Sequence, residues 1–347
     1  MLRLEMINKV ADVKGTVVEV LSWPNGEPAG YYWDNGRDFA NGGAPVAFDF
    51  TKSGSETPWN DKIHAVIWFC GPSKVKSPQS VLAWLHTRMS DDGVIHLTNE
   101  IPWHGKTSQT QEFALYNNEE IHALLVRSGF DGIEHLEEGL YFRHWRARKS
   151  TNVAPERFVK VETELTNGDW RAAVAALGEL DDQLDSLSAV REYALLLAAC
   201  HDLAGNTARS YAALTEALRL DPRCGRALCG LGRLAALNDD LDGALLFFDS
   251  ALKKSPYLVA ALEGRATVNE ILGNYRSAYE DLLDASSFRP GDRELLLDVI
   301  RVGNQLGLHE EVTALLSTRA DTGTDWDNFQ LAPEHTADAP RIGHVIG

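Results

Sequence analysis

The chain has 347 residues, 44% of them hydrophobic and 24% charged, which exceeds one ordinary domain and suits two folded parts with a core each. Its 33 Lys+Arg stand against 50 Asp+Glu, a net charge of −17 without a basic stripe, and this excludes nucleic acid as the expected partner because counterion release needs clustered cations. No apolar run approaches the roughly 20 residues of a membrane span, so no membrane is expected either.

Met1 to Gly15 has neither a continuous apolar stretch nor a small-residue cleavage site, and no secretion signal is read there. Cys70, Cys200, Cys224 and Cys229 are scattered, matching neither a disulfide framework nor the paired spacing of a zinc site. The expectation is a reducing cytoplasm and no metal. Residues 1–150 carry 15 Lys+Arg against 19 Asp+Glu and residues 151–347 carry 18 against 31, so the acidity concentrates in the second half.

In chain order, Thr16 to Leu21 is a short apolar strand and Ala44 to Phe50 a second. Ile63 to Phe69 is a nearly continuous apolar run, as expected of a central strand covered on both faces. Ser77 and Pro78 open a helix with Val81, Leu82 and Leu85 on one face, and Asp91, Asp92 and Gly93 turn into a strand from Val94 to Leu97. Asn117 to Glu120 reads as a capping box for a helix burying Ile121, Leu124 and Leu125. Gly129 and Phe130 end that helix, and Gly132 to Leu136 with Leu140 to Arg146 form a closing hairpin.

That order, over Ala44 to Arg148, resembles the class I S-adenosylmethionine-dependent methyltransferases from their third strand onward. The stretches that carry the likeness are Val46 to Asp49, Asp61 to Phe69, Met89 to Leu97, and Asn118 to Phe130, the last similar to the family's late helix ending in Ala-Gly-Phe. The resemblance implies an α/β, Rossmann-type domain over residues 1–149. It implies an adenine contact at Asp49, a remnant of the cofactor turn at Glu19 and Gly26, and the reactive methyl near Cys70 at the end of Phe69 to Pro72. His104, with Trp103 beside it, would line a substrate pocket and act as a general base near neutral pH. Read from the residues alone, Cys70 is a small buried side chain and His104 a loop residue.

The cofactor turn departs from the family. Its members need a glycine-rich turn followed by a helix N-terminus, whereas this chain runs Glu19-Val20-Leu21-Ser22-Trp23-Pro24-Asn25-Gly26. Only 22 residues separate Leu21 from Ala44, and Asn25 to Gly43 has no helical periodicity, so the helix after the first strand is expected to be lost. The aromatic cluster of Trp23, Tyr31, Tyr32 and Trp33 then covers a sheet end or stacks a ring. No cofactor is expected to bind, with S-adenosylmethionine the one to test if the domain is active.

The second half is periodic. Pro222, Pro256 and Pro290 are each 34 residues apart, as are Gly205, Asp239, Gly273 and Gly307. Ala217, Ala251 and Ala285 keep the same step, and so do Leu214, Phe248, Leu282 and Leu316, with Ala244 and Ala278 a step apart as well. Small residues at a helix crossing and a proline closing the second helix resemble the tetratricopeptide repeat. The clearest unit is Gly225 to Leu258; Asn167 to Ala173 fits an opening unit displaced by three residues, and Arg293 to Arg319 a shortened last one. The departures are a missing tyrosine at the eleventh position and Arg265 in place of a leucine.

The resemblance implies an all-α solenoid of about five units over residues 155–320 that holds a protein partner on its concave face. The family's ligand-facing positions fall here on Arg226 and Arg233, on Glu263, Thr267 and Glu270, and on Arg301 and Asn304. Two arginines and an asparagine suit a peptide carboxylate, and a solvated helix face accounts for the same charges. Ala147 to Pro155 reads as the linker, and residues 321–347 as a disordered or docking tail with Trp326 and Phe329 placed to cover the last unit. The chain thus reads as a cytoplasmic adaptor whose methyltransferase-like site is eroded. Its rivals are an active methyltransferase whose protein or carrier-bound substrate the repeats recruit, and a stabilising partner in a hetero-complex with a catalytic homologue.

Overall fold

The structure, a computed structural model, describes residues 10, 13–22, 28–33, 46–49, 62–68, 78–100, 116–138, 142–151, 155–180, 184, 186–289 and 291–320. The chain divides into two compact units, Met1–Ile101 with Glu120–Leu203, and Pro102–Glu119 with Ala204–Gly347. The expected tail, 321–347, lies outside the described residues.

The first unit holds a seven-stranded sheet: β1 (Thr16–Ser22), β2 (Pro28–Trp33), β3 (Val46–Asp49), β4 (Ile63–Trp68), β5 (Met89–Glu100), β6 (Phe130–Glu138) and β7 (Phe142–Lys149). Their order is β3-β2-β1-β4-β5-β7-β6. Strands β1, β4 and β5 run parallel, and every other pairing is antiparallel. Successive residues Ala65, Val66, Ile67 and Trp68 are fully buried, as are Val17, Val18 and Val20, because both faces of these strands are covered. Helix α1 (Pro78–Arg88) buries Val81, Leu82 and Leu85, the face the sequence assigns to it.

A Rossmann-type sheet is parallel through its β2 and β3; here β2 is antiparallel to both neighbours, which corrects that part of the expectation. The cause is the connection. Five residues separate Ser22 from its cross-strand partner Pro28, whereas a parallel return needs about a dozen or more. No helix fits after β1. Strand β2 itself is not expected from the sequence. Strand β5 begins earlier than Val94: the register jumps from Ile63↔Met89 to Ala65↔Val94, so the Asp91 to Gly93 turn is a bulge within it. Strand β7 extends to Lys149, so the expected linker is shortened from its start.

Helices α2 (Asn118–Arg127), α3 (Pro155–Thr166), α4 (Trp170–Gly178) and α5 (Leu187–Leu203) follow, with Asn118 and Glu119 counted to the second unit. The compact division keeps α3 to α5 with the sheet, on the far side of the polar stretch Ala147 to Pro155. Burial explains it. Val126 of α2 lies in one apolar cluster with Phe158, Val161, Leu165, Leu177 and Leu196. Beside that cluster the Arg127 guanidinium bonds Glu162 and, at 2.6 Å, the fully buried Glu192.

The second unit contains α6 (Thr207–Leu220), α7 (Gly225–Leu237), α8 (Leu241–Lys254), α9 (Val259–Ile271), α10 (Tyr275–Phe288), α11 (Arg293–Gln305) and α12 (His309–Ala320). Within the second unit α7–α8, α9–α10 and α11–α12 follow one another as helical pairs that start 34 residues apart, and α3–α4 form a pair in the first unit. Ala217, Ala244, Ala251, Ala278 and Ala285 are fully buried, so the small residues mark where helices cross. After α3, α5, α7, α9 and α11 one residue is left-handed: Gly168 (+75°), Gly205 (+69°), Asp239 (+60°), Gly273 (+80°) and Gly307 (+75°). The amides after it return to the preceding helix, as in Asn274 N to Asn269 O at 2.8 Å and Leu308 N to Gly303 O at 2.9 Å. No helix among the described residues is long and apolar enough to cross a membrane.

Candidate partner-binding surface

In the second unit the first helix of each pair, α7, α9 and α11, carries the polar residues expected to face a ligand. Arg226, Arg233, Glu263, Thr267, Arg301 and Asn304 are all half-buried, and Glu270 is buried. Thr267 Oγ1 donates to the Glu263 carbonyl at 2.9 Å, and Asn304 Oδ1 meets His309 Nδ1 at 3.0 Å. Arg301 is engaged on both sides, its Nη2 lying 3.1 Å from Glu270 Oε1 and 3.0 Å from Asp298 Oδ1. Those hydrogen bonds hold the guanidinium above its ordinary value. It braces α11 against α9.

Burial disfavours charge on two of these groups. It holds Arg233 below its usual value. It also pushes the Glu263 carboxyl up to about 7, with Asp292, Asp298 and Glu294 adding to the shift and Arg289 opposing it. The folded protein keeps a proton on Glu263 between about pH 4.5 and 7 where the unfolded chain has released it. This contribution to stability is complete below the unfolded value and is lost as pH rises through about 7. Glu263→Gln should therefore flatten the decline, gaining roughly 1–3 kcal/mol over wild type at pH 8.5 and little at pH 4.5. Melting temperatures across that range measure it, and parallel profiles would refute the assignment.

Arg265, the departure from the family pattern, bridges three helices. Its Nη1 lies 2.6 Å from Asp249 Oδ1 on α8, while Nε and Nη2 reach Asp281 on α10 at 2.9 and 2.7 Å. Leu237 and Ile271 follow Arg233 and Thr267 by four residues, on the same helix face, and with Leu272 they have 48%, 41% and 41% of their surface exposed. Leu237 and Ile271 are one repeat step apart, and neither carries a sequence signal that would single it out.

The first-unit candidates are dispersed. Glu19 is 2% exposed in mid-strand, between Tyr31 on β2 and Ile67 on β4 in register, three residues short of the strand end. Asp49 stands opposite Ala29 at the end of β3. Gly26, Cys70 and His104 lie outside the described residues. A buried imidazole pair is an addition to the sequence reading: His96 Nδ1 on β5 and His144 Nε2 on β7 share a hydrogen bond at 3.1 Å, with Trp145 Nε1 donating to Asn99 Oδ1 at 2.7 Å nearby. His96 and His144 each sit in runs that read simply as strand. Cys200, Cys224 and Cys229 are buried thiols, and burial pushes Cys200 up to about 11 and Cys229 up to about 12.

No protein-family model matches the chain, and no curated protein sequence matches it. Among solved structures it is similar to a MamA protein at 18% identity, over 51% of this chain and 95% of that one, with a TM-score of 0.36. It is likewise similar to TTC0263, a thermophilic TPR protein in Thermus thermophilus, at 17% identity, over 50% of this chain and 93% of that one, with a TM-score of 0.40.

Proposed function

We propose that this chain is a protein-interaction adaptor whose helical repeats hold a protein partner along α7, α9 and α11. The observation that carries the reading is the composite character of that row. Half-buried Arg233, Glu263 and Thr267 run beside exposed Leu237, Ile271 and Leu272, and a polar strip edged by large apolar side chains matches a protein surface better than a small solute. A photocrosslinking residue at Thr267 should capture a protein from the cells that make this chain. The same residue at Arg276, 68% exposed on α10, should not. Equal capture at both positions would move the interface off the first helices.

The first unit reads, on this proposal, as a methyltransferase-like sheet that has given up its cofactor. The spatial order β3-β2-β1-β4-β5 is shared with doubly wound sheets, while the direction of β2 is reversed. Against an active site stands the hairpin from β1 into β2, which removes the helix N-terminus that would receive a nucleotide-linked cofactor. The residues at this turn do not fit S-adenosylmethionine. Calorimetric titration should give no binding below millimolar concentrations, and a low-micromolar Kd abolished by Asp49→Ala would restore the active-enzyme reading. A hetero-complex with a catalytic homologue remains compatible with the same sheet and would emerge as the crosslinked species.

A further inference from the structure

Tyr116, Asn117 and Glu119 belong to the second unit although they precede its helices by about a hundred residues in sequence. Glu119 Oε1 accepts from the Gly225 amide at 2.6 Å and from Ser255 Oγ at 2.7 Å, and Oε2 accepts from the Arg226 amide at 2.9 Å. The carboxylate thus satisfies open amides at the start of α7, a 13-residue helix, with a hydroxyl from the end of α8 completing the set. Asn117 Nδ2 donates to the Tyr257 carbonyl at 3.2 Å, and the Arg289 guanidinium lies 5.8 Å from the Tyr116 ring centroid. Gly225, Tyr257 and Arg289 stand at the three successive turns that join one helical pair to the next. Three residues within a four-residue stretch therefore touch three successive helix connections, each through a different chemistry. The carboxylate sits close against the helix start: a Cβ at residue 225 would lie 2.7 Å from Glu119 Oε1, so a side chain there would push the carboxylate aside.

We propose that this turn edge reads short acidic peptides of the pattern Tyr-Asn-x-Glu, and that Tyr116 to Glu119 is its resident ligand, which a partner carrying the same pattern displaces. The inference rests on the reading of the repeats as a protein-binding array and names the partner's chemistry. Recognition comes from two amides, a hydroxyl and one guanidinium, not from bulk charge, since residues 151–347 carry 31 Asp+Glu against 18 Lys+Arg. Because the resident segment is tethered, its effective concentration excludes a free peptide from the intact chain. Removing Glu119 opens the site to binding in trans.

Cys224 reports on the site. It is 1% exposed and its thiol lies 3.8 Å from Glu119 Oε2. Losing that carboxylate opens the thiol, at the N-cap of α7, to reagent. In full-length Glu119→Ala, iodoacetamide should modify Cys224 at least tenfold faster than in wild type, read by mass spectrometry, while Cys200 in the first unit stays protected. A synthetic peptide of residues 115–121 should return Cys224 labelling in the variant to near the wild-type rate, and the same peptide with glutamine at the Glu119 position should not. Equal labelling of wild type and variant, or equal protection by both peptides, overturns the proposal. If Cys200 is exposed as well, the alanine variant has unfolded and Glu119→Gln is measured instead, with wild-type labelling again the contrary result. Peptide protection without Thr267 crosslinking would keep this site and reject the inner-row interface.

Discussion

Phe248→Ala should remove about 3–5 kcal/mol of stability from the second unit, as large aromatic deletions in cores do. The ring comes from α8, is 2% exposed, and fills the space between α7 and α9. Both flanking helices have glycine where they meet it: a Cβ at Gly232 would stand 3.0 Å from the ring and one at Gly264 only 2.4 Å. With glycine at both of those positions there is no side chain at either to swing inward, which places the cost toward the upper end. Gly264→Ala tests the same fit from the other side, with an overpacking loss of about 1–3 kcal/mol. Urea unfolding measures both, and a Phe248→Ala loss below about 1 kcal/mol would mean the helices close over the gap.

Arg265→Ala should be comparably damaging, about 3–5 kcal/mol, for an electrostatic reason. The arginine is 28% exposed, Asp281 opposite it only 8%, and the truncation strands that carboxylate without its bidentate partner. Asp249, 59% exposed, is hydrated anyway and adds little. The double change Arg265→Leu with Asp281→Leu puts apolar side chains in both places and removes the stranded charge, so it should fall within about 1 kcal/mol of wild type or above it. A double variant as weak as Arg265→Ala would show that packing volume, not charge, sets the cost.

The helical pairs were legible because their signals are local and repeated. Pro256, Ala251 and Gly273 each act within a few residues of themselves, and even Asp239, which breaks the glycine phase, keeps the left-handed turn. Strand β2 was not legible, since Pro28, Ala29 and Gly30 argue against a strand and only pairing with β1 makes them one. Glu119 failed for a related reason. Its neighbours Asn117 and Glu120 predict a cap for their own helix, while the carboxylate bonds a helix start 106 residues later, a contact no window along the chain contains. The Arg265 bridge lay between: its partners Asp249 and Asp281 are each 16 residues away, a spacing visible in the sequence once the pair length is known.

The packing of Val126 against Phe158, Val161 and Leu196 bears on the order in which the protein is made. A sheet whose last strand ends at Lys149 would ordinarily be free to close once that strand leaves the ribosome. Here α2 keeps an uncovered apolar side until α3, α4 and α5 have emerged, so the first unit stays open through the synthesis of Leu203. At about 5–20 residues per second that is an interval of several seconds with Val126 in water, a natural window for a chaperone. The later helical pairs wait only for their immediate neighbour, as Phe248 of α8 does for Gly264 of α9.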